Sequence, residues 1–301
     1  TAAAAPASSA LTGASSQPSA WSAVEEDLRS RAAYHFPRLN RSIFVRDGMG
    51  RFVISDGTRR VTTVEGPGTL AFGFGAGKST CLHAAARNEP HGTKELVPLM
   101  LALLGTEVIG LSDDFGKSAI IVALECQQQD VALLLVDAAD AESLQASFLG
   151  ENLLHLASRM GLTQVARKLL DCENVTLSRA KNAAGQTALH IAVALQAEDL
   201  AVMLAENLPV DVLRQADSKG DTCLHTAVRT GRRAVAAKLV ERGGAEVVGA
   251  RNAKGETPLQ LAMRLGHEDQ ALLLVEKMPA EALLLRDQKG DTCLHVAARQ
   301  Q

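Results

Sequence analysis

The segment GFGAGKST, residues 73 to 80, holds the residue types of a phosphate-binding loop. Its glycines free backbone amides to turn toward an oxyanion, Lys78 supplies a charge, and Ser79 and Thr80 supply hydroxyls for a magnesium ion. The apolar run TLAF precedes it and an alanine-rich, helix-like run follows. The spacing defeats this chemistry. The pattern G-x-x-x-x-G-K-[ST] needs a glycine five residues before Gly77, where Phe72 stands. Gly73 is one residue too close, and the ring of amide donors is broken. No nucleotide or other cofactor is expected. A zinc site is the second possibility, because Cys-x-His recurs as Cys81 with His83, Cys223 with His225 and Cys293 with His295. Each pair belongs to a separate repeat of the chain, and side chains two apart at a helix start diverge. Each histidine follows a threonine by three and is expected to bond that hydroxyl and the nearby turn. The cysteine then acts as a small apolar residue, and no metal is expected. G-x-S-x-G, H-E-x-x-H and paired carboxylates away from solvent-facing turns are all absent from the sequence, so no enzyme chemistry is expected.

What must position these residues follows from composition. Of 301 residues, 47% are apolar but only 3% aromatic, with Trp21 and Tyr34 the single tryptophan and tyrosine. A core of Leu, Ala and Val suits closely packed helices better than a sandwich or barrel. The net charge of −3 gives no electrostatic case for nucleic acid. No apolar run approaches the ~18 to 20 residues of a membrane span, and no secretory signal is visible. Five cysteines, an odd number in a chain of this size, argue against a disulfide scaffold. The expected setting is intracellular, cytoplasmic or nuclear. Residue 1 is Thr1 rather than Met, which reads as a fragment or a processed product.

Residues 1–20 are uncharged and rich in Ala, Ser and Pro, and are expected to be a disordered tail. Trp21, Val24, Leu28 and Ala32 recur at helical spacing. Residues 42–64 alternate β-branched runs with DGMG and SDGT, the pattern of a hairpin. The roughly 40 residues of these two segments are too few for an independent core. Residues 21–76 are expected to be a small helix-plus-hairpin cap, or the edge of an upstream domain.

From residue 77 the chain repeats itself. Thr80, Ser118, Asn152, Thr187, Thr222, Thr257 and Thr292 anchor seven segments, most of them 35 residues apart. Two residues on stands Leu or Ile: Leu82, Ile120, Leu154, Leu189, Leu224, Leu259 and Leu294. Five on stands alanine every time, from Ala85 to Ala297. A helix position that accepts only alanine is one that another backbone approaches closely. Leu135, Leu169, Leu204, Leu239 and Leu274 mark a second helix. One such helix pair cannot bury its own apolar stripe, so the units must stack.

The unit resembles the ankyrin repeat, whose T-P-L-H-x-A signature is present as TALHIA, TCLHTA, TPLQLA and TCLHVA. The resemblance covers residues 77–301. It implies an all-α ankyrin-repeat solenoid of about seven helix-turn-helix units, the last incomplete. The departures are Ile121 and Gln260 in place of histidine, three extra residues around NEPHG, and a period of 35 rather than the family's usual 33. The second unit reads as degenerate. The last unit stops after one helix, so either the native chain continues or a partner covers that end.

What the resemblance implies functionally is a non-catalytic scaffold or adaptor that binds another protein through the concave face. The alternative is a targeting or regulatory module of a larger enzyme or effector whose catalytic part lies outside this chain. Seven residues after the anchor stand Arg87, Arg159, Arg229, Arg264 and Arg299, interrupted by Glu125 and Ala194. Arg159, Arg229, Arg264 and Arg299 are expected to contact the partner, together with Lys219, Lys254 and Lys289 at the turn tips and Phe115 as an exposed aromatic. Such a set suits an acidic or phosphorylated partner surface, because a guanidinium engages two oxygens at once. Arginine at a helix C-terminus also complements the helix dipole, by ~0.3 to 1 kcal/mol.

Overall fold

In a computed structural model of the chain, the described residues are 45–46, 52–53, 80–87, 97–98, 101, 106–172 and 175–299. The expected tail, the helix from Trp21 and residues 73–79 lie outside them. The chain divides into two compact units, Thr1–Thr63 and Val64–Gln301. Within the first, Val45–Arg46 pairs antiparallel with Phe52–Val53.

The second is a helical solenoid. Its first helices are Cys81–Arg87, Ala119–Glu125, Leu153–Met160, Ala188–Ala194, Cys223–Arg229, Pro258–Leu265 and Cys293–Ala298. Consecutive first helices pack on one another. Second helices span Gln129–Ala138, Thr163–Asp171, Glu198–Asn207, Arg233–Val248 and Glu268–Lys277, and they stack likewise. The anchor residue directly precedes each first helix. In the third to seventh units its side chain and that of the residue three on form a capping box. Gly161 and Gly266 end two first helices in the left-handed region, while Gln127 and Gln196 take that backbone in the second and fourth units.

The longer period has a structural cause. After the second helix comes an extra helical turn, Val210–Leu213 in the fourth unit and Ala280–Leu283 in the sixth, each entered through a proline. In the fifth unit the chain kinks at Gly244 instead, with φ 56°. The residues that follow the second helix in these units are therefore helical rather than an open loop. Ion pairs join neighbouring units along this side, including Arg179 with Asp211 at 3.0 Å, Arg214 with Glu246 at 2.7 Å and Lys238 with Glu206 at 3.2 Å. Pairs this exposed contribute ~0 to 1 kcal/mol each, so apolar stacking carries the stability.

The core is the pair of columns read from the sequence. From the first unit to the sixth, the Leu/Ile and Ala columns are completely buried. In the seventh, nothing among the described residues stacks over them, and Leu294 is 73% exposed. One residue type at one register therefore carries opposite weights. Leu189→Ala is expected to cost ~2 to 5 kcal/mol through transfer and cavity. Leu294→Ala is expected to stay within ~0.5 kcal/mol. Urea denaturation midpoints of the two variants check this.

Candidate functional site

The face that carries the expected site residues is built by the turns that lead into the first helices. In five units an Asp or Asn opens the turn: Asp113, Asn182, Asp217, Asn252 and Asp287. Its Oδ1 accepts the backbone N–H groups two and four residues on, at 2.8 to 3.0 Å. This is the Asx-turn. Successive turns press together, and Ala253 N–H donates to Lys219 O and Gln288 N–H to Lys254 O, both at 3.1 Å. A Cβ on Gly220 would meet the Ala253 nitrogen at 2.5 Å, so the stacking requires glycine there. The third unit departs from the pattern. Ser147–Phe148 pairs with Glu151–Asn152 in a tight hairpin, with Leu149 and Gly150 both at positive φ.

These turns place Lys219, Lys254 and Lys289 exposed at three tips, and none of them makes an ion pair among the described residues. Phe115 sits at the tip of the second unit, 75% exposed. Beside it, Lys117 Nζ lies 4.6 Å from the ring centroid of Phe148.

The arginines stand differently from the lysines. Each is fastened within its own unit to a carboxylate eight residues earlier. Arg264 makes a two-pronged pair with Glu256, at 2.9 and 3.2 Å. Arg159 grips Glu151 in the same way, with Nε 3.0 Å from Oε2. Arg229 pairs with Asp221, and Arg299 with Asp291. The acids are the buried partners, since the Asp221 side chain is 2% exposed against 44% for Arg229. Burial works against ionisation of Glu151, but the Arg159 guanidinium and the Asn182 amide hold it below its ordinary value.

The two interruptions in the column follow the same rule. In the second unit the charges are exchanged, and Lys117 binds Glu125 at 2.6 Å. In the fourth, Gln186 and Ala194 are both neutral. In the first, Ser79 replaces the acid, and Arg87 reaches Asp113 of the next turn at 3.1 Å. Sequence reasoning missed these pairs, although opposite charges eight apart within a unit were the available signal.

The histidines run between units. Nδ1 of His83, His155, His190 and His225 accepts the anchor N–H at 3.1 to 3.3 Å. Nε2 donates to the carbonyl just before the next anchor: Lys117, Gln186, Asp221 and Glu256, at 2.8 to 3.1 Å. Gln260 does the same with its amide, accepting from Thr257 N–H and donating to Asp291 O, both at 2.9 Å. Burial depresses the basicity of all four histidines. Thr80 Oγ1 lies 2.8 Å from His83 Nδ1 and belongs to this bridge rather than to a magnesium site.

The Cys-x-His reading resolves along the same lines. Cys223 is wholly buried 3.2 Å from His190 Nδ1, whose ring is already committed to Thr187 and Asp221. Burial pushes its thiol up to about 12. Among the described residues no group of three His, Cys, Asp or Glu is placed to hold a metal ion. No helix of the described residues is long and apolar enough to cross a membrane.

A folded-state pKa below ~6.5 means that the unfolded chain takes up protons first as the pH falls. Stability is therefore full above ~6.5 and is lost toward the depressed values. Replacing His83, His155, His190 and His225 by Gln, on the pattern of Gln260, keeps the bridges and removes the titration. Between about pH 7.5 and 5.5 the wild-type melting temperature is expected to fall at least twice as far as that of the fourfold variant. Thermal melts across that range measure it.

Comparison with known proteins accords with this architecture. Residues 154–249 match the family model of ankyrin repeats (3 copies). The ankyrin repeat domain of Bcl-3, described as a unique member of the IkappaB protein family, aligns with a TM-score of 0.60 and 24% identity. That alignment covers 73% of this chain and 94% of the other. No curated protein sequence matches the chain. Residues 154–249 thus carry ankyrin repeats, and the described helices form the all-α ankyrin-repeat solenoid that the repeated anchors imply.

Proposed function

We propose that the chain is a non-catalytic scaffold or adaptor that binds a partner protein across the face made by its turn tips and first-helix ends. The observation that carries this is the fixed geometry of that face. Asx-turns hold the lysine-bearing tips, and buried carboxylates hold half-exposed guanidiniums at one register in unit after unit. A partner docking there orders little of the chain, so less of the contact energy is lost to entropy.

The charges divide the work. Each arginine arrives as part of an ion pair and offers its remaining N–H donors and its flat face. Lys219, Lys254 and Lys289 supply the net positive charge that suits acidic or phosphorylated groups, and Phe115 offers an apolar anchor. Titration of a lysate-captured partner tests this. Reversing the three lysines to Glu is expected to weaken binding at least tenfold, with helical circular dichroism unchanged. The arginines need a subtler variant, since Arg→Glu alone sets carboxylate against buried carboxylate. Exchanging Glu256 with Arg264 and Asp291 with Arg299 copies the natural order of Lys117 and Glu125 and preserves the fastening. Affinity that survives both sets of changes would remove this face from the binding site.

A further inference from the structure

Five of the six junctions between units carry the histidine or glutamine bridge. The junction of the second and third units has Ile121 in that place. Two consequences are visible there. Ser118, the anchor of the second unit, is 2% exposed, yet its Oγ has no hydrogen-bond partner. Next to it opens a cavity of about 550 Å³, lined by Ser118 and Ile121 on one side and by Asp140, Glu142 and Ser143 on the other. Among the described residues no lysine or arginine lines it.

The wall chemistry selects the occupant. Hydroxyl oxygens and two carboxylates ask for a cationic donor, and the half-exposed Leu111 in the same wall gives an apolar surface for the stem of that donor. The Ser143 hydroxyl and amide hold the Asp140 carboxyl below its ordinary range, so it stays charged.

We infer that this cavity receives one lysine or arginine side chain of an extended segment of the partner protein. The inference rests on the protein-binding function proposed above and adds a basic anchor to a partner otherwise read as acidic. The charged head would meet Glu142 and Asp140 and donate to Ser118 Oγ, in the place a bridging histidine takes elsewhere.

The test uses the full chain with labelled isoleucine methyl groups, observed by NMR. The probes are ten-residue peptides identical except for a central Arg, Lys or Gln, with arginine amide as a free cation. The Arg and Lys peptides are expected to shift the Ile121 methyl signal to saturation, and the Gln peptide to leave it unmoved. Glu142→Gln and Ser118→Ala are each expected to weaken binding at least fivefold. Ile121→His is expected to abolish it and to raise the melting temperature by rebuilding the bridge. Should that variant misfold, the Glu142→Gln and Ser118→Ala results still decide. Unmoved Ile121 signals, equal binding of the Gln peptide, or undiminished affinity in Glu142→Gln would overturn the proposal. So would arginine amide binding as tightly as the Arg peptide, which would make this a cation site only. A partner that is lost on lysine reversal but kept by Ile121→His would retire this pocket and leave the wider binding face standing.

Discussion

The solenoid depends on a two-point hydrogen-bonded bridge repeated along its length. A neutral imidazole accepts from the amide of its own anchor and donates to the carbonyl before the next one. This single contact fixes the start of a helix, the shape of a turn and the distance to the following unit. Around it the apolar columns can close completely, because helices held at a set spacing leave room for alanine and nothing larger. Gln260 shows that the requirement is one acceptor and one donor at the right separation, not imidazole as such.

A second constraint acts within units. The carboxylate at the turn and the guanidinium at the helix end form a clasp whose acidic half is buried and whose basic half faces water. Removing the basic half strands a charge in the interior, which is far more damaging than losing a surface pair. The same arginines therefore close the turn and stay half exposed to water, whereas the tip lysines make no such pair among the described residues.

Much of this was legible in the sequence, because periodic columns survive a good deal of local variation. The anchors, the Leu/Ile column and the invariant alanine gave the solenoid, and Thr-x-x-His pointed to a turn-to-helix bond. The clasp escaped because the columns were compared between units, whereas the pairing runs within one. Read down its column, Glu125 is an interruption; read beside Lys117, it is the same pair reversed. Ile121 marked the second unit as degenerate, but no one-dimensional pattern could say that a hydroxyl would be orphaned and a cavity opened beside it. The hairpin at 147–152 was also hidden, since Ser147 stands where other units have Asp or Asn. The extra helical turns that lengthen the period begin at Pro209 and Pro279, residues that suggest a loop until their place at a helix start is seen.

The missing bridge between the second and third units also makes the stack mechanically uneven. A rod joined by like fastenings at every step shares a load equally among them. A rod with one unfastened step concentrates strain there. The step between Ile121 and the hairpin at 147–152 is held instead by apolar packing, by Lys117 over the Phe148 ring and by Lys168 paired with Asp137. One aliphatic side chain thus exchanges a directional polar fastening for contacts that set no fixed angle.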